Sequence, residues 1–236
     1  MTSEGFSPTA VDKAIRQARC LLMSFDGPIC TLFAGTPADS AADLLRSEIK
    51  EEGIPLPQSV EDTPDPLDIL RFAASLDSDL ASRVEARLTE LELTAAATAP
   101  PAPYAHDVLA ACRESGRTAA IISANSSAAI HAYLTAHDLT SQFAAVAART
   151  GPDPLILPPS PHLIDQATIV LSAWPAECVV IASAPSGIQA AQAAGVPSVA
   201  YAKTPDDAEH QVRAGANAVV YSMADIALRL RTGVGD

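Results

Sequence analysis

The stretch CVVIASAPSGIQAAQAAGVPSVAYA, residues 178–202, contains two apolar runs separated by a helix-forming segment. The runs at 178–183 and 198–202 show no alternation of polar and apolar residues, which is typical of strands covered on both faces of a parallel sheet. Between them, residues 186–195 predict a helix that ends at Gly195. A strand, a helix and a second strand in this order predict a right-handed crossover within one parallel sheet.

The same alternation extends in both directions along the chain. Further apolar runs that predict buried strands lie at 20–25, 118–123 and 218–222. Helical segments are predicted at 102–116, 126–139 and 161–173. Strands and helices that alternate in this way predict an α/β fold built on a doubly wound parallel sheet.

A long helical insert separates the first two of these strands. It comprises predicted helices at 38–53, 65–76 and 78–99, with proline-rich stretches inside it and at its exit. The last helix carries an apolar stripe at three- and four-residue spacing, formed by Leu80, Val84, Leu88, Leu91 and Ala95. The stripe favours packing inside a helical bundle, and a partner-binding face is the alternative. An insert that follows the first strand is expected to cover the ligand crevice as a lid.

These segments divide the chain of 236 residues into three parts. Residues 1–19 form an N-terminal segment, and residues 20–35 and 101–236 form the α/β core. Residues 36–100 form a small all-helical cap domain inserted after the first strand.

The composition argues against two large classes of function. A formal net charge of −13 repels phosphate backbones and anionic lipids, so neither nucleic acid nor a membrane surface is an expected partner. The sequence lacks both an apolar run long enough for a membrane span and a signal-peptide-like apolar stretch at its N-terminus. The four cysteines lie apart, without C-x-x-C spacing, and are expected to be buried reduced thiols. We therefore expect a soluble, cytoplasmic protein.

Four stretches occur in an order that resembles a known superfamily. They are FDGPICTLF at 25–33, IISANSS at 121–127, LILPPSPHLIDQA at 155–167 and the opening stretch at 178–202. With the helical insert, they resemble a phosphatase-like member of the haloacid dehalogenase superfamily that has a helical C1-type cap. The resemblance covers roughly residues 20 to 228 and implies a Rossmann-like core.

The chemistry of that superfamily depends on a small set of charged side chains. An aspartate at the end of the first strand attacks phosphorus and becomes an aspartyl phosphate, which water can cleave. A second aspartate, two residues later, acts as general acid and base. A Ser or Thr and a Lys hold the transferring oxygens, and a later acidic pair helps the first aspartate bind Mg²⁺.

Only part of this set is present in the chain. The resemblance assigns Asp26 to the acid/base position and Ser123 to the phosphate-holding hydroxyl. It assigns Ser24 to the nucleophile position and Pro158 to the lysine position. The two metal-binding acids correspond to Ser183 and Gly187. The nucleophile, the lysine and both metal-side acids are therefore replaced by uncharged residues.

The resemblance therefore implies a catalytically degenerate homologue, a pseudoenzyme, rather than a conventional phosphatase. We expect that Mg²⁺ does not bind, that the chain has no other metal site or cofactor, and that it acts by binding a partner protein or a small ligand. One alternative is a hydrolase with a rebuilt, metal-independent site in the crevice. Another is a structural role, such as homo-oligomerisation or pairing with an intact relative through the cap.

Seven residues are candidates for the site. Asp26 is the retained catalytic position, and the candidates for ligand binding are Ser24, Gly27, Ser123, Asn125, Ser183 and His162. Several keep a structural alternative. A lone carboxylate after a strand is a common turn or cap residue, and serine and asparagine are common helix caps. His162 follows the proline run beside the lost lysine position, so it is the histidine expected nearest to the crevice, or else a surface residue at the start of a helix.

Overall fold

A parallel sheet forms the centre of the protein. The computed structural model describes residues 8–35 and 38–232, and six strands lie in these ranges: β1 Cys20–Ser24, β2 Thr118–Ser126, β3 Ala145–Arg149, β4 Cys178–Ala182, β5 Ser198–Tyr201 and β6 Ala218–Val220. Their order across the sheet is β3-β2-β1-β4-β5-β6, and all neighbouring strands run parallel. The predicted doubly wound α/β fold is confirmed.

Helices flank the sheet on both faces and form the insert. Those of the α/β core are α1 Pro8–Gln17, α6 Ala105–Glu114, α7 Ser127–Ala136, α8 His162–Leu171, α9 Pro185–Ala193, α10 Pro205–Arg213 and α11 Met223–Thr232. Those of the insert are α2 Ala38–Glu51, α3 Gln58–Glu61, α4 Pro66–Leu76 and α5 Ser78–Ala96. Short 3-10 turns lie at Thr140–Gln142, Pro154–Ile156 and Pro175–Glu177.

Burial on both faces explains why the strands lack polar alternation. On β1, Leu21 and Met23 pack into the apolar layer under α6, α7 and α11, whereas Cys20 and Leu22 pack into the layer under α8 and α9. All four side chains are at most 2% exposed. Removing such side chains from water is the dominant favourable contribution to folding, so an apolar run is expected wherever a strand is covered twice.

The insert has an apolar centre of its own. Leu80, Val84 and Leu88 of α5 pack with apolar residues of α2 and α4 in one cluster. The stripe therefore packs inside a helical bundle over most of its length, while Ala95 joins the apolar layer of the core. The described helices α2 to α5 fall within the predicted cap, although the exact domain boundaries stay a prediction.

Within residues 8–35 and 38–232, no helix combines the length and the apolar character that a membrane crossing requires. The four cysteines are buried free thiols, as expected from their positions in apolar runs.

Truncation of Leu88 tests the apolar centre of the insert. Leu88 is fully buried, so Leu88→Ala leaves a cavity and should lower the free energy of unfolding by about 2–5 kcal/mol. Leu93→Ala in the same helix is the matched control, because Leu93 is 37% exposed and its loss should change the free energy by less than about 0.5 kcal/mol. Urea denaturation followed by circular dichroism measures both values, and equal stabilities would contradict the packing described.

Candidate functional site: a crevice between cap and core

A cavity of about 250 Å³ lies where the carboxyl ends of β1, β2 and β4 meet the cap. Five of the candidate residues line it: Ser24, Asp26, Ser123, Asn125 and Ser183. The cap contributes residues of α5 and of the turn that opens α4. Parallel strands end at the same edge of a sheet, and this edge is where open α/β sheets bind ligands. The structure thus brings together side chains that are far apart in the sequence.

His162 does not line this cavity. It is the first residue of α8, and it lines a separate pocket with Asp153 and Gln166. The same helix directs Leu163 and Ile164 to the crevice instead. His162 is therefore a surface residue at the start of a helix, which is the second of the two positions that the sequence allowed.

The turn after β1 is closed by Asp26. The Asp26 Oδ1 atom accepts a hydrogen bond of 3.0 Å from the Leu32 amide, and the Gly27 amide donates to the Cys30 carbonyl at 2.8 Å. Asp26 therefore has the structural role that its position favours, while its side chain remains exposed at the crevice. Asp26 can close the turn and still contact a ligand, because one carboxylate can accept several hydrogen bonds.

Gly27 and Ser183 join the ends of β1 and β4. The Ser183 hydroxyl donates to the Asp26 carbonyl at 3.1 Å. Gly27 has a φ of +97°, and a Cβ at this position would overlap the Ser183 hydroxyl. Glycine is therefore required here by both the backbone conformation and the close approach. Gly27 is not among the residues that line the cavity, so the structure gives it a role in shaping the turn.

Ser123 and Asn125 lie in the irregular last residues of β2, 123–126, where the pairing with β3 shifts and which form the loop before α7. The Ser123 hydroxyl donates to Asn125 Oδ1 at 3.0 Å, and the Asn125 amide donates back to the Ser123 oxygen at 3.1 Å. Neither residue is the helix cap. Ser126 takes that role, because its hydroxyl accepts from the Ala129 amide at 3.3 Å. The two hydrogen bonds between Ser123 and Asn125 hold the Ser123 hydroxyl and the Asn125 backbone amide at the crevice.

A buried ion-pair cluster attaches the cap to this loop. Arg149, at the end of β3, is fully buried and contacts Glu92 Oε2 at 2.6 Å and Glu85 Oε1 at 2.5 Å. Its Nε atom donates to the Ala124 carbonyl at 3.0 Å. Glu92 also accepts from the Ser126 amide at 2.7 Å and from the Asn125 side chain at 3.3 Å. Helix α5 is thus bonded to both β3 and the loop before α7.

The charged residues of this cluster were not among the sequence candidates. Two features of the sequence point to them in retrospect. Glu85 and Glu92 are seven residues apart and so lie on one face of α5. Arg149 ends the run AVAAR, where a single cation follows four small apolar residues.

The crevice is lined by negatively charged side chains and, among the described residues, by no positively charged one. Carboxylates of Asp26, Asp65 and Glu92 line it, and among the described residues that do so none is Lys, Arg or His. Asp65 caps α4 by accepting from the Leu67 amide at 2.9 Å. Desolvation raises the pKa of Asp65, and the hydrogen bond from Leu67 opposes that shift.

The nearest candidate for a cation is already engaged. Arg71 contacts Asp68 Oδ1 at 2.8 Å and donates to the Pro158 carbonyl at 2.8 Å. Pro158 itself lines the cavity and can supply no charge. No group of three or more His, Cys, Asp or Glu side chains suited to a metal ion occurs in the part of the chain that the structure describes.

The thiol nearest to this site is unsuited to nucleophilic attack. Burial raises the pKa of Cys30, and the charge of Asp26 raises it further. Burial also raises the pKa of Cys112 and of Cys178 to about 12. Because the thiolate is the nucleophilic form, these cysteines are structural.

Comparison with known proteins identifies the scaffold. A sequence profile described as haloacid dehalogenase-like hydrolase matches residues 69–201, which is more than half of the chain. The chain belongs to the haloacid dehalogenase-like hydrolase family. This confirms the resemblance drawn from the four sequence stretches. No curated protein gives a significant match to the sequence.

Solved structures share the fold at low sequence identity. A proposed β-phosphoglucomutase from Bacteroides vulgatus has a TM-score of 0.70 and 18% identity, and the match covers 98% of this chain and 100% of that one. CbbY from Rhodobacter sphaeroides, solved in complex with phosphate, has a TM-score of 0.66 and 19% identity, with 88% and 95% covered. A hydrolase from Pseudomonas syringae has a TM-score of 0.67 and 16% identity, with 90% and 98% covered.

The positions that the resemblance assigns to the family's chemistry all line the one cavity. They are Ser24, Asp26, Ser123, Pro158, Ser183 and Gly187. Residues from three strand ends and from the loop before α8 converge there, which supports the alignment of the four stretches. At the positions of the nucleophile, the lysine and the later acids, the cavity presents two hydroxyls, a proline ring and a glycine.

Replacement of Arg149 tests the link between cap and core. Arg149→Met leaves Glu92 buried without its cation, and this should lower the free energy of unfolding by about 3–5 kcal/mol. Arg83→Met is the matched control, because Arg83 forms an exposed pair with Glu52 that should contribute less than about 1 kcal/mol. Urea denaturation measures both effects. Equal losses in the two variants would show that the buried cluster does not hold the cap.

Proposed function

We propose that this protein is a catalytically inactive member of the haloacid dehalogenase-like family that binds a small ligand in the crevice. The observation that carries the proposal is the composition of that crevice. It keeps a ligand-sized volume, the carboxylate of Asp26 and the hydroxyl of Ser123. It has uncharged residues at the other positions that the resemblance assigns to phosphate chemistry.

The loss of reactivity follows from the chemistry of Ser24. A serine hydroxyl is a weak nucleophile unless a base activates it, and none of the described residues that line the crevice is a histidine or lysine. A phosphoserine, if it formed, would be a phosphomonoester and would resist the hydrolysis that releases an aspartyl phosphate. Turnover would stop after one event.

The loss of electrostatic stabilisation points in the same direction. Groups that stabilise transition-state charge contribute on the order of 10²–10³ each in rate. Pro158, Ser183 and Gly187 can provide neither the positive charge of a lysine nor the negative charges that retain Mg²⁺. We therefore propose that the protein works without Mg²⁺ or another cofactor.

Two other roles stay as predictions. A rebuilt metal-independent hydrolase would require a base beside Ser24 or Ser123. Asp26 is the carboxylate in the crevice that could take this role, whereas His162 lies on a different pocket. Binding of a partner protein or of a second copy through the cap is compatible with the fold. A cytoplasmic location belongs to the proposal as well, and it is supported by the four free cysteines, which are typical of a reducing compartment.

An assay with p-nitrophenyl phosphate and Mg²⁺ tests the proposal. The wild-type protein should release p-nitrophenol no faster than buffer. Ser24→Asp should also be inactive, because the replaced nucleophile would still lack the lysine and the later acids. A structurally similar active phosphatase, assayed alongside, verifies the conditions. Metal-dependent turnover by the wild type, abolished by Asp26→Asn, would overturn the proposal.

A further inference from the structure

The crevice has acidic side chains without the lysine that the resemblance expects beside them. Three carboxylates line it, and no cationic side chain does so among the described residues. Arg149 neutralises Glu92 from behind the cavity wall, where Arg149 is fully buried. Asp26 on the core loop and Asp65 on the cap have no cationic partner in that lining. Arg71 lies outside the lining, where it opposes the rise in the pKa of Asp65 and is bonded to Asp68 and to the Pro158 carbonyl. A ligand in the cavity would therefore experience a negative potential.

Helix N-termini normally counteract such a potential, but here some of their amides are used within the protein. The Ser126 amide at the start of α7 donates to Glu92 at 2.7 Å. Helix α9 begins with Pro185, which has no N–H group, and the Gly187 amide donates to the Ala184 carbonyl at 3.1 Å. The Ser126 and Gly187 amides are therefore already satisfied and are not free to hold an anion.

The walls of the cavity indicate the shape of the ligand. Apolar side chains from both the core and the cap line it, including Phe33, Leu67, Ile122, Leu163 and Ile164. A volume of about 250 Å³ accommodates a compact ring or short branched chain rather than an extended substrate. Asp65 lines the cavity from the cap and Asp26 lines it from the core, so a cation in the cavity would meet a carboxylate from each side.

We propose that the crevice selects a small organic cation, an ammonium group on a compact hydrocarbon body, and that Asp26 and Asp65 determine this preference. The inference rests on the proposed function, because it names the ligand class of the same crevice. A hydrogen bond that involves a charged group is stronger than a neutral one, so the ammonium form should bind at least about tenfold more tightly than an uncharged analogue. Phosphorylated compounds are excluded by the same charges.

Three probes of similar body and different charge test this selection. They are cyclohexylamine, which is protonated at pH 7, cyclohexanol, which is neutral, and cyclohexyl phosphate, which is anionic. Isothermal titration calorimetry on the full chain at low salt should give the highest affinity for the amine. Cyclohexanol should bind about tenfold more weakly, and cyclohexyl phosphate should not bind.

Variants assign the preference to particular carboxylates. Asp26→Asn and Asp65→Asn should each weaken amine binding about tenfold while leaving cyclohexanol binding unchanged, and asparagine keeps the capping function of Asp65. Asp153→Asn is the matched control. Asp153 accepts from the Leu155 amide at 2.9 Å, as Asp65 does from Leu67, but it lies outside the crevice. This variant should bind all probes as the wild type does.

Each other outcome has a definite meaning. Equal or tighter binding of cyclohexanol or cyclohexyl phosphate would overturn the charge selection and leave the non-catalytic ligand site intact. Mg²⁺-dependent cleavage of cyclohexyl phosphate would instead overturn the proposed function. Absence of binding by all three probes, or amine binding that neither crevice variant weakens, would contradict the ligand class inferred here.

Discussion

The buried guanidinium of Arg149 is the interaction on which the rest of the site depends. It joins two glutamates of the cap helix α5 to the end of β3 and to the loop before α7. A buried charge is costly unless it is fully paired, so α5 has a strongly preferred position over the sheet. Helix α4 packs on α5, and Asp65 at the start of α4 is therefore placed at the crevice as well.

The same cluster engages polar groups at the edge of the crevice. Glu92 accepts a hydrogen bond from the Ser126 amide at the start of α7. Arg149, which neutralises Glu92, lies outside the cavity. Ser183 stands at a position where the resemblance expects a metal-binding acid, and its hydroxyl donates to the Asp26 carbonyl. The Ser126 amide, the Glu92 carboxylate and the Ser183 hydroxyl are thus used to hold cap, loop and sheet together.

Sequence reasoning was most reliable where a physical pattern is local. Apolar runs predicted β1, β2, β4, β5 and β6, because strands buried on two faces must be continuously apolar. Strand β3 was missed, since its sequence AVAAR is rich in alanine, which has little preference for strands. The sequence left two positions open for His162, at the crevice or on the surface, because the direction of a side chain at a helix start depends on how that helix packs. The Arg149 cluster joins residues up to 64 positions apart, so local patterns can mark its members but not their pairing.

The central claim is that the crevice has the shape of a phosphate-enzyme site without its ability to hold a metal. Crystals soaked in Mn²⁺ and inorganic phosphate test it most directly, since anomalous scattering locates manganese without ambiguity. The account predicts no anomalous peak within coordination distance of Asp26, Ser24 or Ser183. A manganese ion ligated by Asp26, with phosphate bound beside it, would contradict the account.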